Sequence, residues 1–223
     1  MNCLNRKILL FLILLCIISV VSYAHLELSE FKLSAGGGLY FSGDFGGGYQ
    51  SAGKNGGYEN FMKTPQFGIG LHGFFDLHYI ELNLGLFGSC GNWESYASGG
   101  HWHYKVFVYG SGLDIGIFLK YPFVLNDRFS SFPLLGCNYR ALFTLFSEDE
   151  RKFNTDDSSS FDALWFKFGY GLDYSFKSNK YLRTELFYGF RYYNKCEEKN
   201  ADSLETIYRG HGPEIKISIG FKF

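Results

Sequence analysis

The final eleven residues constrain the fold more than any other stretch. They read Pro213, Glu214, Ile215, Lys216, Ile217, Ser218, Ile219, Gly220, Phe221, Lys222, Phe223. From Ile215 onward every odd position is Ile or Phe, and every even position is charged, Ser or Gly. A period of two marks a strand with one apolar and one polar face. Eleven residues is also close to the length a tilted strand needs to cross the hydrocarbon layer of a membrane.

The other end of the chain speaks to export. Arg6 and Lys7 precede an apolar run from Ile8 to Val21, broken only at Ser19, and Ser22, Tyr23 and Ala24 follow it. A basic start, a short apolar core and a small-residue site make a signal peptide. Cleavage is expected after Ala24, which leaves 25–223 as the mature domain. The apolar core is too short for a membrane helix, and charges and glycines interrupt every later apolar run. The formal charge of −1 becomes about −3 once Arg6 and Lys7 are removed, and no basic tract suggests nucleic acid.

The terminal pattern recurs upstream. Alternation predicts strands over about 30–42, 65–75, 80–87, 104–121, 134–145, 164–177, 182–192 and 213–223. Polar connections over 43–64, 88–103, 147–160 and 194–206 are long, whereas those near 76–78, 122–127 and 178–180 are short. All four prolines, Pro65, Pro122, Pro133 and Pro213, fall at predicted strand borders, where a missing ladder donor is tolerated. Strands favour Tyr and Phe, and membrane barrels carry aromatic girdles at both interfaces; the chain has 17 Tyr and 25 Phe.

These features predict an all-β fold, an eight-stranded antiparallel transmembrane up-and-down β-barrel. Its apolar faces look out into lipid and its polar faces look inward. A soluble all-β protein would put the same apolar faces inside. The inward list is Glu81, Asp114, Arg140, Lys167, Asp173, Arg183, Glu185, Arg191, Glu214 and Lys216. Charges in a low-dielectric interior must pair or meet water, so these predict a network plugging or lining the lumen.

Catalytic and metal chemistry find little support. His101 and His103 flank Trp102 without a third ligand nearby, and Asp156 and Asp157 precede serines with no His to complete a triad. No catalytic residue, metal or cofactor is expected. Cys90, Cys137 and Cys196 remain after export, an odd number. Cys90 and Cys196 fall in predicted loops on one side and could pair; equally, all three could be free.

With these residues in view, the chain resembles the small OmpW-like and OmpA-like outer-membrane barrels. The resemblance is one of topology across the mature chain. Its most specific piece is the terminal run ending on the aromatic Phe223. It implies a bacterial cell outer membrane, surrounding lipid and lipopolysaccharide or glycolipid, and insertion by the barrel-assembly machinery. The assembly signal would fall on Tyr208, Ile215, Ile217, Ile219, Phe221 and Phe223. No cell-wall-anchoring domain follows Phe223, which favours the stand-alone OmpW-like form. Such barrels are linked to uptake of small hydrophobic molecules through an opening in the wall. The outer-half candidates for ligand contact are Phe41, Phe45, Phe107, Tyr109, Phe143, Tyr188 and Tyr192. The expected function is a narrow channel or transporter for small polar or hydrophobic molecules. The alternative is a structural or adhesive barrel that binds an extracellular ligand through its long loops.

Overall fold

The computed structural model describes residues 33–51, 60–96, 103–147, 163–176, 179–192 and 205–223. The predicted leader lies outside them. The strands are β1 (Ser34–Ser51), β2 (Asn60–Asp76), β3 (Ile80–Tyr96), β4 (His103–Lys120), β5 (Phe123–Val124), β6 (Phe129–Ser147), β7 (Ala163–Ser175), β8 (Lys180–Tyr192) and β9 (Glu205–Lys222). The two-residue β5 pairs only with Ser130 and Ser131, in the connection between its neighbours. The other eight strands run antiparallel to the next in sequence, β4 pairs with β6, and β1 pairs with β9. The sheet is therefore a closed, up-and-down, eight-stranded barrel, and closure removes every free edge.

The pairing register fixes its shape. Following paired residues around the wall leads from Ala35 to Phe75, Leu82, Ile117, Cys137, Phe166, Phe190, His211 and back to β1 at Phe45. The path returns ten residues further along β1, at 45 rather than 35. Ten residues rise about 33 Å and eight interstrand spacings make a circumference of about 38 Å, so the strands tilt by about 40°. Eight strands at that tilt leave an interior that side chains can fill.

The two faces separate by chemistry. Leu39, Ile69, Leu71, Leu84, Leu86, Ile115, Leu186, Ile215 and Ile217 are exposed on the outside. Exposed aromatics flank this band. Tyr121, Phe123, Phe129, Phe176 and Phe221 lie near the short turns, and Phe45, Phe67, Tyr109, Phe146 and Tyr192 lie toward the long connections. On β7 and β8 the aromatics Phe166, Phe168, Tyr170 and Phe190 continue through the middle of the wall. Inside, charged groups alternate with buried Tyr40, Phe74, Phe87, Phe118, Phe132, Trp165, Tyr181 and Phe187. An exterior this apolar, around an interior this charged, inverts a soluble protein and suits lipid.

Four details correct the sequence reading. The strands run further than alternation indicated. Gly46 and Gly47, placed in a loop, pair with Thr64 and Lys63 on β2 and with Gly210 and Arg209 on β9. Glycine carries no side chain to show a period, yet its backbone joins the ladder. Cys90, also placed in a loop, lies in β3, faces outward and is free; Cys196 falls outside the described residues.

Pro65, Pro133 and Pro213 sit inside β2, β6 and β9 rather than at their borders. Each costs one ladder locally. The β2–β3 register skips Thr64 and Pro65, and the β1–β9 register skips Gly43 and Asp44 opposite Gly212 and Pro213. Pro133 accepts a bond from Tyr121 N just beyond the end of β4, so its missing donor falls at the margin of that ladder. Finally, a register shift opposite Ser111 and Gly112 leaves Phe143 as an extra residue in β6. Phe143 and Phe146 therefore both face outward, and Phe146 stacks on Tyr109 with ring centroids 5.3 Å apart.

Candidate functional site: the barrel interior and its seam

Alternation sends the even-phase side chains of every strand to a common axis, and tilt brings residues distant in sequence to one level. All ten expected interior charges point inward, and they form two clusters joined near Lys216.

The first cluster lies toward the short turns. Arg183 Nε and Nη2 donate to the two oxygens of Asp173 at 2.7 and 2.8 Å. Its Nη1 donates to Glu81 at 2.6 Å, and Nη2 also reaches Asp76 at 2.7 Å. The guanidinium lies 4.6 Å from the Phe74 ring centroid and 4.7 Å from that of Phe132. Bidentate carboxylate pairing and stacking on aromatic faces are what a guanidinium, and not an ammonium, can do. Lys120 Nζ bonds Asp76, and Asn83 donates to Glu81 at 2.6 Å. Glu185 is fully buried, opposite Lys216 in the register, and neither oxygen has a hydrogen-bond partner. Asp76 falls within the short connection that alternation places near 76–78, and Lys120 is absent from the expected inward set. Both lie at the last inward position of a strand, where alternation is easily truncated.

The second cluster lies nearer the long connections. Arg140 grips Asp114 through Nε at 2.8 Å and Nη2 at 2.9 Å, and Tyr40 donates to the same carboxylate at 2.8 Å. Glu214 gathers three cations: Lys167 at 2.7 Å, Lys216 at 3.6 Å and Arg140 at 3.9 Å. Arg140 also lies over the Phe87 ring at 4.5 Å. Further out, Arg191 approaches Asp44 at 3.4 Å.

Beside this cluster the wall carries a seam. The β8–β9 ladder continues through Pro213, while the β1–β9 ladder stops at the same residue, so the missing N–H faces β1. The strands stay close there: a Cβ at Gly212 would collide with the Gly43 carbonyl, which makes glycine necessary. A cavity of about 10 Å³, room for one water, lies between the seam residues Gly43 and Pro213 and the side chains of Arg140, Trp165, Lys167 and Glu214.

The seven outer-half aromatics do not converge. Phe41, Phe45 and Tyr188 flank the seam on β1 and β8–β9, where Tyr188 bonds His211 at 2.7 Å and Phe45 meets Phe67 edge-on. Phe107, Tyr109 and Phe143 face outward on β4 and β6, and Tyr192 faces outward near the end of β8. They belong to the exterior belt rather than to one pocket. Ile215, Ile217, Ile219, Phe221 and Phe223 all face outward on or just past β9. Tyr208 pairs with Gly48, and its side chain lies outside the described residues. Among the described residues no three His, Cys, Asp or Glu side chains could hold a metal.

No family model and no curated protein matches the sequence. Solved structures do. The outer membrane protein OprG of Pseudomonas aeruginosa is 14% identical, over 86% of this chain and 96% of that one, with a TM-score of 0.52. The outer membrane protease OmpT of Escherichia coli is 9% identical over 86% and 97%, with a TM-score of 0.47. Neisserial surface protein A is 11% identical over 83% and 97%, with a TM-score of 0.40. The likeness to OprG establishes a shared closed-barrel fold; at such identities activity does not follow from it.

Proposed function

We propose that this chain is a bacterial outer-membrane barrel that passes small, largely apolar molecules through its wall rather than conducting ions along its axis. The observation that carries this reading is the contrast between a filled interior and a seamed wall. Arg183, its three carboxylates and the rings of Phe74 and Phe132 occupy the lumen on the turn side. The cavity beside the seam, about 10 Å³, is far below the size of a hydrated ion. Two successive rungs are absent between β1 and β9, so parting the wall there sacrifices little backbone pairing. The apolar exterior, the likeness to OprG and the terminal Ile215 to Phe223 strand support placement in the outer membrane, beside lipopolysaccharide or glycolipid and after delivery by the assembly machinery.

Purified, folded protein in planar bilayers is expected to show no stable ohmic conductance, while proteoliposomes take up a small fluorescent apolar probe faster than empty vesicles. A sustained conductance with no gain in apolar uptake would overturn the proposal. The adhesive alternative rests on residues 52–59, 97–102, 148–162 and 193–204, which lie outside the described residues. A loop-deleted barrel that folds and keeps all partner binding would rule it out.

A further inference from the structure

We infer that Glu185 and Glu81 form a proton-binding pair inside the barrel: Glu185 keeps its proton at neutral pH and donates it in a hydrogen bond to Glu81. The pair lies on the filled, turn side of the lumen and is independent of any route through the wall.

The supply of donors is the first observation. Glu81 and Glu185 are both 0% exposed, and their carboxyls lie within hydrogen-bonding reach of each other. Glu81 already has donors: Asn83 Nδ2 gives to one oxygen and Arg183 Nη1 to the other, each at 2.6 Å. No donor reaches either oxygen of Glu185. Lys216, its register neighbour on β9, meets Glu214 at 3.6 Å instead and lies over the rings of Phe118 and Phe187. Arg183, on the same strand, directs its N–H groups to Asp173, Glu81 and Asp76. An ionised carboxylate can only accept, so two in contact repel and Glu185 would be buried bare. A neutral carboxyl carries one O–H, and Glu81 is the acceptor in reach. A single proton turns the repulsion into a charge-assisted hydrogen bond.

Charge is the second observation. Toward the long connections Arg140, Lys167 and Arg191 match Asp114, Glu214 and Asp44. Toward the short turns Lys120, Arg183 and Lys216 stand against four carboxylates, Asp76, Glu81, Asp173 and Glu185. Assigning Lys216 to the other group leaves the total unchanged. Among the described residues, the buried and half-buried charges of the lumen therefore carry one carboxylate in excess, and one bound proton restores neutrality where the dielectric is low.

His72 on β2 is the other group that could take the proton. A neutral ring suffices there: Nε2 can accept from the Ser218 hydroxyl at 2.9 Å, and the ring lies beside Asn83. A charged ring would face Lys216 and Arg183. The proton is left to the carboxyl pair.

The test uses the full mature chain folded into phosphatidylcholine vesicles, read by infrared spectroscopy and urea unfolding. At neutral pH the wild type is expected to show a carboxylic-acid carbonyl band that moves down in D2O and again with ¹³C-carboxyl glutamate. Glu185→Gln, which keeps a donor toward Glu81, is expected to fold and to lack the band. The native state then holds one proton more than the unfolded chain, so stability falls as pH rises. The unfolding constant of the wild type, relative to that of Glu185→Gln, is expected to climb by up to about tenfold per pH unit between about pH 5 and about pH 8. If the variant fails to fold, the glutamate band of the wild type decides alone. No such band at neutral pH overturns the inference. A band that survives in Glu185→Gln overturns it, because the proton then rests on another carboxyl. A doubly protonated His72, read from its ¹⁵N imidazole shifts, overturns it as well. So does stability that follows sodium or potassium at fixed pH, which means that a metal cation balances the pair.

Discussion

The two charge clusters are built from the same residue types and behave oppositely. Around Arg183, donors and carboxylates meet in short bonds between two aromatic rings. Around Glu214, Lys167 and Lys216 meet its carboxylate while Arg140 is held mainly by Asp114, an indole N–H has no acceptor, and a small cavity lies beside a gap in the β1–β9 ladder. The first arrangement ties strands β2, β3, β7 and β8 together through Arg183, while Glu185 beside it has neither oxygen bonded. The second leaves its unpartnered indole beside the gap in the β1–β9 ladder. A buried polar network is therefore informative through what it lacks as much as through what it holds.

Arg183→Leu should break the contrast most strongly. It strands Asp173, Glu81 and Asp76 without their shared cation, and removing one partner of a buried pair costs about 3–5 kcal/mol. Urea unfolding from lipid vesicles would measure it; a loss below about 1 kcal/mol would mean that the cluster does not hold the strands. Leu71→Arg comes next. Leu71 is 63% exposed, with Leu39 and Leu86 opposite it on the two neighbouring strands, so the charge would enter the aliphatic band. The expected cost is about 2–4 kcal/mol in the same assay, against about 0–1 for Leu172→Arg near the turn end of β7. Equal costs at the two sites would contradict the placement of the band.

Trp165→Phe sharpens the comparison by its size. Because Nε1 makes no bond, the protein should lose only the packing of the missing ring atoms, about 1–2 kcal/mol. A large loss would show that the indole N–H is engaged. Phe223→Asp should have the smallest effect on equilibrium stability, since the side chain is 79% exposed past the end of β9. Its effect should appear in cells as slower assembly, and unchanged surface levels would remove Phe223 from the sorting signal.

The barrel was legible because each wall strand repeats one rule, apolar out and polar in, across almost its whole length. Alternation failed where side chains vanish, as at Gly46 to Gly48, and where one extra residue shifts phase, as at Phe143. It also assigned every proline to a border, because a single strand read alone does not reveal which neighbour the missing donor faces. The interior charges were visible one by one, but their partners were not. Arg183 meets Glu81 across 102 positions of sequence only because the ring closes with a ten-residue offset, and that offset belongs to the whole wall. The seam was invisible for the same reason, since it takes Gly43 and Pro213 side by side to make one.

Closure by β1 against β9 has a consequence for how the molecule is made. The first strand synthesised waits for the last, so the join with the greatest separation along the chain is completed after every hairpin is in place. That same join lacks two rungs at Gly43 and Asp44, so the last stitch of the ring closes over a gap of the kind the β2–β3 hairpin carries at Thr64 and Pro65.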